Sequence, residues 1–317
     1  MTAPHTPPTS SPVATPTAPV TLRYALPITL DPLLRTIAAH AVPGVEECDV
    51  DGRRHRRVVR GPDVVLTVEW GQPGELTVSA MGATGPAPVD AALVALVRRW
   101  LDLDCDVAAV SAHLGASGLL APFVAARPGL RVLGSTDGFE TAVMTVLGQQ
   151  VSLAAARTFG GRLVAGLGRP APAGMRAFPT PDAVAETEPE DLRAMVGLTR
   201  ARAATVVGLA QAVVDGRVWL DGAAHDDLDG LDPPARPAAS PSEARAALLS
   251  LTGIGPWTAD YLALRLFGDR DAYPADDLVL KRALGVTSGR AAAALSADWA
   301  PLRAYAVTHL WTQAVYG

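Results

Sequence analysis

Lysine is all but missing from this chain: of 27 basic residues only Lys281 is a lysine, the rest being arginine. Chemistry that needs an amine nucleophile, such as Schiff-base formation, has a single side chain to draw on. Cysteine is nearly as scarce. Cys48 and Cys105 are the only two, far apart and without partners at metal-ligand spacing. That excludes a disulfide framework, a zinc site and an iron–sulfur cluster. Uninterrupted apolar runs of roughly eighteen residues, the length that spans a bilayer, are absent as well. The first twenty residues are mostly Pro, Thr, Ala and Ser. They lack the basic start and apolar centre of a signal peptide, so residues 1–20 are expected to form a disordered tail and the protein to be cytoplasmic. Positive charge is not in surplus either, the net charge being −5. A DNA footprint still needs only a few cations on one face.

What is present is aliphatic and arranged in two styles. At 317 residues the chain is long enough for two or three compact units with a substantial core. Residues 21–103 carry short β-branched or alternating segments with Gly and Pro between them, at 21–26, 56–60, 63–70 and 75–79, the pattern of an antiparallel sheet. Helices are expected at Asp31–Val42, with Asp31 as cap, and at Pro88–Leu103. Arg53 to Arg57 form a basic cluster that reads best as a solvated turn of a hairpin. From about Asp104 strand signals vanish and residues 104–317 read as helices. Asp137 and Glu140 form a capping-box pattern, and a break at Gly148-Gln149-Gln150-Val151-Ser152 precedes a helix over Leu153–Leu167. Residues 222–241 are rich in Asp, Gly and Pro and read as an exposed insert. The fold class is therefore α+β, mostly α: a small N-terminal antiparallel β domain followed by a helical region.

Within that helical region one stretch stands out, a helix-hairpin-helix pattern at about residues 243–267. An apolar helical run stops at Gly253, and another restarts after Pro256 with Trp257, Tyr261, Leu262 and Leu264. The intervening Gly253-Ile254-Gly255 allows only a tight turn, for which glycine supplies positive φ and close approach. Pro256 suits the first helical position, where its missing N–H is not needed. The free amides of such a helix start can hold a phosphate. About twenty residues on, Asp276 and Asp277 stand side by side before Leu278-Val279-Leu280. Alone, each half has a plain structural explanation, a connector and an N-cap pair.

Together, at this spacing, hairpin and aspartates resemble the helix-hairpin-helix DNA glycosylase superfamily. More narrowly the chain resembles the bacterial 3-methyladenine DNA glycosylase II family, from about Leu22 to Tyr316. The shared stretches include 101–105, 128–131, 137–139, 147–149, 178–181, 253–259, Asp276-Asp277 and 305–311. That likeness implies a β domain followed by two helical lobes with the active site in the cleft between them. It implies Asp277 as the catalytic carboxylate, Asp276 as a structural residue or cap, and Trp257, Tyr261 and Trp311 as pocket aromatics. Gly253, Ile254 and Gly255, with Gln149 and Gln150, would contact DNA.

The chemistry it implies is hydrolysis of the N-glycosidic bond of alkylated purines in double-stranded DNA after flipping the base, and nothing in the sequence demands more than a monomer. Such a reaction uses no cofactor and no catalytic metal, and the likeness leaves room for a structural cation on the hairpin carbonyls. The family places an apolar wedge where this chain has Gln150. Lyase relatives carry a lysine two residues after the last hairpin glycine, where this chain has Trp257, so strand cleavage is not expected. Two alternatives stand beside this reading, a non-catalytic DNA-binding module and a glycosylase for another damaged base.

Overall fold

The computed structural model describes residues 17–59, 64–220 and 240–316. Most of the expected tail and nearly all of the expected insert at 222–241 lie outside these residues. The chain begins with β1 (Val20–Arg23), α1 (Leu30–His40), β2 (Glu46–Asp49), β3 (Arg54–Val59), β4 (Val64–Trp70), β5 (Glu75–Gly82) and β6 (Gly85–Ala87), then α2 (Ala91–Trp100). The strands pair antiparallel in the order β1-β5-β4-β3-β2, with β6 also on β5. Register follows side-chain alternation: Leu66 faces Ala80, Val68 faces Val78 and Trp70 faces Leu76. These residues are buried against Leu33, Leu34 and Ile37 of α1 and Leu93, Leu96 and Val97 of α2.

Two strands of this sheet were not expected, and both lie at its edges. β2 and β6 each pair on one side only, and their sequences, Glu-Glu-Cys-Asp and Gly-Pro-Ala, carry the polar residues and proline that suit an unpaired edge. The basic cluster also needs correcting. Only Arg53 lies outside β3; residues 54–57 are strand, and His55 and Arg57 are buried. Arg57 is no solvated turn residue, because it pairs with Glu46 and, at 2.9 and 3.0 Å, with both carboxylate oxygens of Glu140. Likewise Asp31 is not a cap. Thr29 holds that position, and Asp31 pairs with Arg35 on the exposed face of α1.

After α2 come α3 (Val107–Gly115), α4 (Ala121–Ala126), α5 (Gly138–Gly148) and α6 (Leu153–Leu167). A two-residue ladder, β7 (Arg169–Pro170) with β8 (Arg176–Ala177), interrupts a region expected to be free of strands. Then follow α7 (Pro181–Ala185), α8 (Pro189–Val196), α9 (Arg200–Val214), α10 (Pro241–Leu249), α11 (Pro256–Leu266), α12 (Leu278–Ala283), α13 (Gly289–Leu295) and α14 (Arg303–Tyr316). Local chemistry sets these boundaries. Asp137, Ser152, Thr180, Thr199 and Ser288 each accept the backbone N–H three residues on, a contact worth about 1 kcal/mol. Ser240 and Glu243 form the capping box that opens α10. Glu140 turns its carboxylate to Arg57.

The helices build two cores. One gathers α5 to α10, with Ala259 and Leu262 of α11. The other gathers α3, α4 and α12 to α14, with Ala263 and Leu264 of α11. Because α11 supplies side chains to both, its remaining face is left at the seam between the two bodies. Among the described residues no helix is long and apolar enough to cross a membrane.

Candidate active site

α10 and α11 are joined by Ser250 to Gly255, and the turn is made as glycine allows. Gly253 has φ +88° and lies so close to α9 that a Cβ there would sit 2.1 Å from Thr205 Oγ1. Gly255 is different from expectation: it is extended, with φ −98°, and serves as the N-cap residue of α11. A Cβ there would meet nothing within 4 Å. Pro256 takes the first helical position. Arg245 of α10 pairs with Asp260 of α11, closing the hairpin across its helices.

The aromatic residues begin at the second position of α11. Trp257 and Tyr261 stack with ring centroids 5.5 Å apart and planes 14° from parallel. Trp311 of α14 leans against Tyr261 at 5.9 Å and 50°. All three are half-buried. Asp277 stands at their head. It is the N-cap of α12, its Oδ1 accepting from Leu280 N at 2.9 Å, so the expectation that Asp276 would cap is overturned. Asp276 is exposed and lies 3.9 Å from Lys281 Nζ. The Asp277 carboxylate also receives both indoles, Trp311 Nε1 on Oδ1 at 3.0 Å and Trp257 Nε1 on Oδ2 at 2.9 Å. It is 8% exposed. An ionised carboxylate offers roughly four acceptor sites, and three are filled here by N–H donors. The arrangement is a fixed negative group with a free lone pair, at the head of three π faces.

Gln149 and Gln150 follow α5. Gln149 donates from Nε2 to Gly253 O and to Thr258 Oγ1, each at 3.1 Å. Gln150 is exposed, with φ +57°. Both glutamines thus lie by the hairpin, one bonded to it and one turned outward. Sequence reasoning missed Arg265, whose Nη1 donates to Tyr261 Oη at 2.6 Å while its guanidinium lies 5.6 Å from the ring centroid. Its Nε and Nη2 reach Gly134 O. The available signal was the i,i+4 spacing of Tyr261 and Arg265 on one helix.

A cation at the hairpin would rest on backbone oxygens, the hard donors that such ions take. The Gly253 carbonyl already accepts from Gln149, and a second lone pair is left. Such an ion would supply charge toward a phosphate. Among the described residues no group of three His, Cys, Asp or Glu side chains could hold a metal.

Comparison with known proteins gives the fold and the family. In fold, the chain is similar to the 3-methyladenine DNA glycosylase of Archaeoglobus fulgidus, with a TM-score of 0.71 at 18% identity over 93% of this chain and 98% of that one. It is also similar to an 8-oxoguanine glycosylase/lyase of Clostridium acetobutylicum solved with double-stranded DNA, with a TM-score of 0.66 at 17% identity over 85% and 87%. In sequence, residues 19–137 match the AlkA N-terminal domain and residues 143–292 match the HhH-GPD superfamily of base excision DNA repair proteins. DNA-3-methyladenine glycosylase 2 of Escherichia coli is 30% identical over 92% of this chain and 96% of its own length. A probable bifunctional transcriptional activator/DNA repair enzyme AlkA of Mycobacterium tuberculosis is 37% identical over 90% of this chain, which spans only 55% of that protein. The chain belongs to the DNA-3-methyladenine glycosylase 2 family within the HhH-GPD superfamily.

Proposed function

We propose that this protein is a monofunctional DNA glycosylase that hydrolyses the N-glycosidic bond of alkylated purines in duplex DNA and so starts base excision repair. The observation that carries the reading is the Asp277 carboxylate, held by the Trp257 and Trp311 indoles at 2.9 and 3.0 Å. Cleavage of the bond builds positive charge on the sugar, and a carboxylate fixed in a water-poor cleft stabilises it without reorganising. Its free lone pair can accept a proton from the attacking water. Alkylation at N3 or N7 makes the purine itself a cation, and the Trp257, Tyr261 and Trp311 faces attract cations. The base must leave the stack to reach this cleft. Exposed Gln150 would occupy the gap, while the amides at the start of α11 hold the phosphate backbone.

The sequence match to DNA-3-methyladenine glycosylase 2 supports both the activity and the substrate class. Absence of lyase chemistry rests on Trp257 at the position where lyase relatives have an amine. The test is base release from methylated duplex by wild type and Asp277→Asn, followed by gel analysis of the strand. Wild type should free 3-methyladenine and 7-methylguanine and leave the strand whole until alkali is added. Asp277→Asn should lose on the order of 10²–10⁴ in single-turnover rate and keep its affinity for abasic-site DNA. Near-wild-type release by the variant would remove Asp277 from the chemistry, and strand nicking at neutral pH would reject monofunctionality.

A further inference from the structure

Gln149 makes a connection that the chemistry at Asp277 does not use. It closes α5, and the chain turns sharply at Gln150 immediately after it. Both protons of its side-chain amide are committed inside the protein, to Gly253 O and to Thr258 Oγ1. From the other side the Arg202 guanidinium donates to the Gln149 backbone carbonyl. Arg202 and Thr205 are neighbours one turn apart on α9, and Thr205 is the residue against which Gly253 packs. So α9 holds the turn with one side chain and the hairpin with another, and Gln149 closes the third side. Thr258 is 3% exposed and out of reach of any duplex.

We infer that Gln149 is a positioning residue that clasps the 149–152 turn to the 253–255 hairpin, making one rigid body of the two elements that hold DNA. The inference rests on the reading above, in which the turn enters the duplex and the hairpin grips its backbone. Flipping needs such a body. Unstacking a nucleotide is uphill, and a tip that enters the stack without a fixed grip on the strand yields instead of displacing the base. Misplacement of about 1 Å costs on the order of 10² in rate.

Because Thr258 is buried, a double-mutant cycle separates a clasp from a DNA contact. Gln149→Ala and Thr258→Ala, alone and together, would be assayed for single-turnover release and for 2-aminopurine fluorescence as a measure of flipping. Each single change should slow release and lower the flipped fraction by roughly five- to tenfold, the scale of one or two hydrogen bonds. The double variant should be no more than about twofold worse than Gln149→Ala, since that change already removes the Thr258 bond along with the Gly253 one. Thr258→Ser, which keeps the hydroxyl, should restore wild-type values, and affinity for undamaged duplex should change by less than about twofold. Additive losses, or equal weakening on damaged and undamaged duplex, would overturn the clasp. Wild type that frees no alkylated base would reject the glycosylase reading instead. Amide hydrogen exchange of the free protein then decides the clasp: Gln149→Ala must speed exchange at Ile254 and Ala259, whose amides are bonded to Leu251 and Gly255. Unchanged rates there would reject it.

Discussion

Asp277 receives three hydrogen bonds from a backbone amide and two indoles, so it serves three neighbours at once. It starts α12, fixes the edge of each tryptophan, and keeps one acceptor site of its carboxylate unfilled. Asparagine caps helices as well as aspartate, so Asp277→Asn keeps the helix start while it removes the charge and replaces one of the two indole acceptors with a donor. The Trp311 ring also has two jobs, an N–H to Asp277 and a π face toward the pocket, and two substitutions tell them apart. Trp311→Phe keeps a face and removes the N–H, so it should slow cationic and neutral lesions by similar factors. Trp311→Ala removes both. It should cost cationic 3-methyladenine roughly five- to thirtyfold more than neutral hypoxanthine, the scale of a desolvated cation–π contact of about 1–2 kcal/mol. Parallel release assays on the two lesions read this directly. An unchanged ratio for Trp311→Ala would mean that its face does not meet the cationic base.

At the scale of elements, the two hairpin glycines invite opposite expectations. Gly253 combines φ +88° with a Cβ position 2.1 Å from Thr205 Oγ1. Gly253→Ala therefore meets backbone strain of about 1–2 kcal/mol and a clash with α9, and should lower stability by about 2 kcal/mol or more and weaken DNA binding. Gly255→Ala meets neither, being extended in open space, and should leave denaturant stability within about 1 kcal/mol of wild type. Urea unfolding of both variants checks the pair, and equal losses would contradict the geometry. Element by element, legibility followed how local the cause was. The hairpin, Pro256 and the Asp137 cap depend on residues a few positions apart, and these were readable. The edge strands β2 and β6 carry acidic residues, glycine and proline in place of the β-branched residues that mark a strand, so their sequences show no strand signal. Which of Asp276 and Asp277 caps α12 is settled by two tryptophans 20 residues before and 34 after Asp277, a fact no local pattern holds. Buried Arg57 was misread for the same reason, since its partner Glu140 lies 83 residues away.

Across the whole molecule, long-range polar ties join the cores where α11 does not. Arg57 links the sheet to the start of α5. Asp102, at the exit of α2, accepts from Val132 N, Arg270 and Tyr305 Oη at 3.1, 2.7 and 2.9 Å, tying the β domain to the second helical core. That second core also contains a buried titratable ring, which the Phe123 backbone satisfies only in part. His309 of α14 is 3% exposed and its Nδ1 has no hydrogen-bond partner. Burial, aided by the nearby Arg127 charge, pushes its pKa from 6.5 down to about 4. Below pH 6.5 the unfolded chain binds a proton that the folded chain refuses until about pH 4, so acid favours unfolding across that window. At 1.36 kcal/mol per pH unit the loss from this one side chain approaches about 3 kcal/mol. The stabilising form is the neutral ring, and its contribution is fully present above pH 6.5. His309→Gln cannot take up the proton. Between pH 6.5 and 4 its stability should therefore fall less than that of wild type, by up to about 3 kcal/mol. Parallel urea titrations of the two proteins at half-unit pH intervals measure the difference. Curves that stay parallel through this window would show that His309 is protonated as readily in the folded protein as in the unfolded chain.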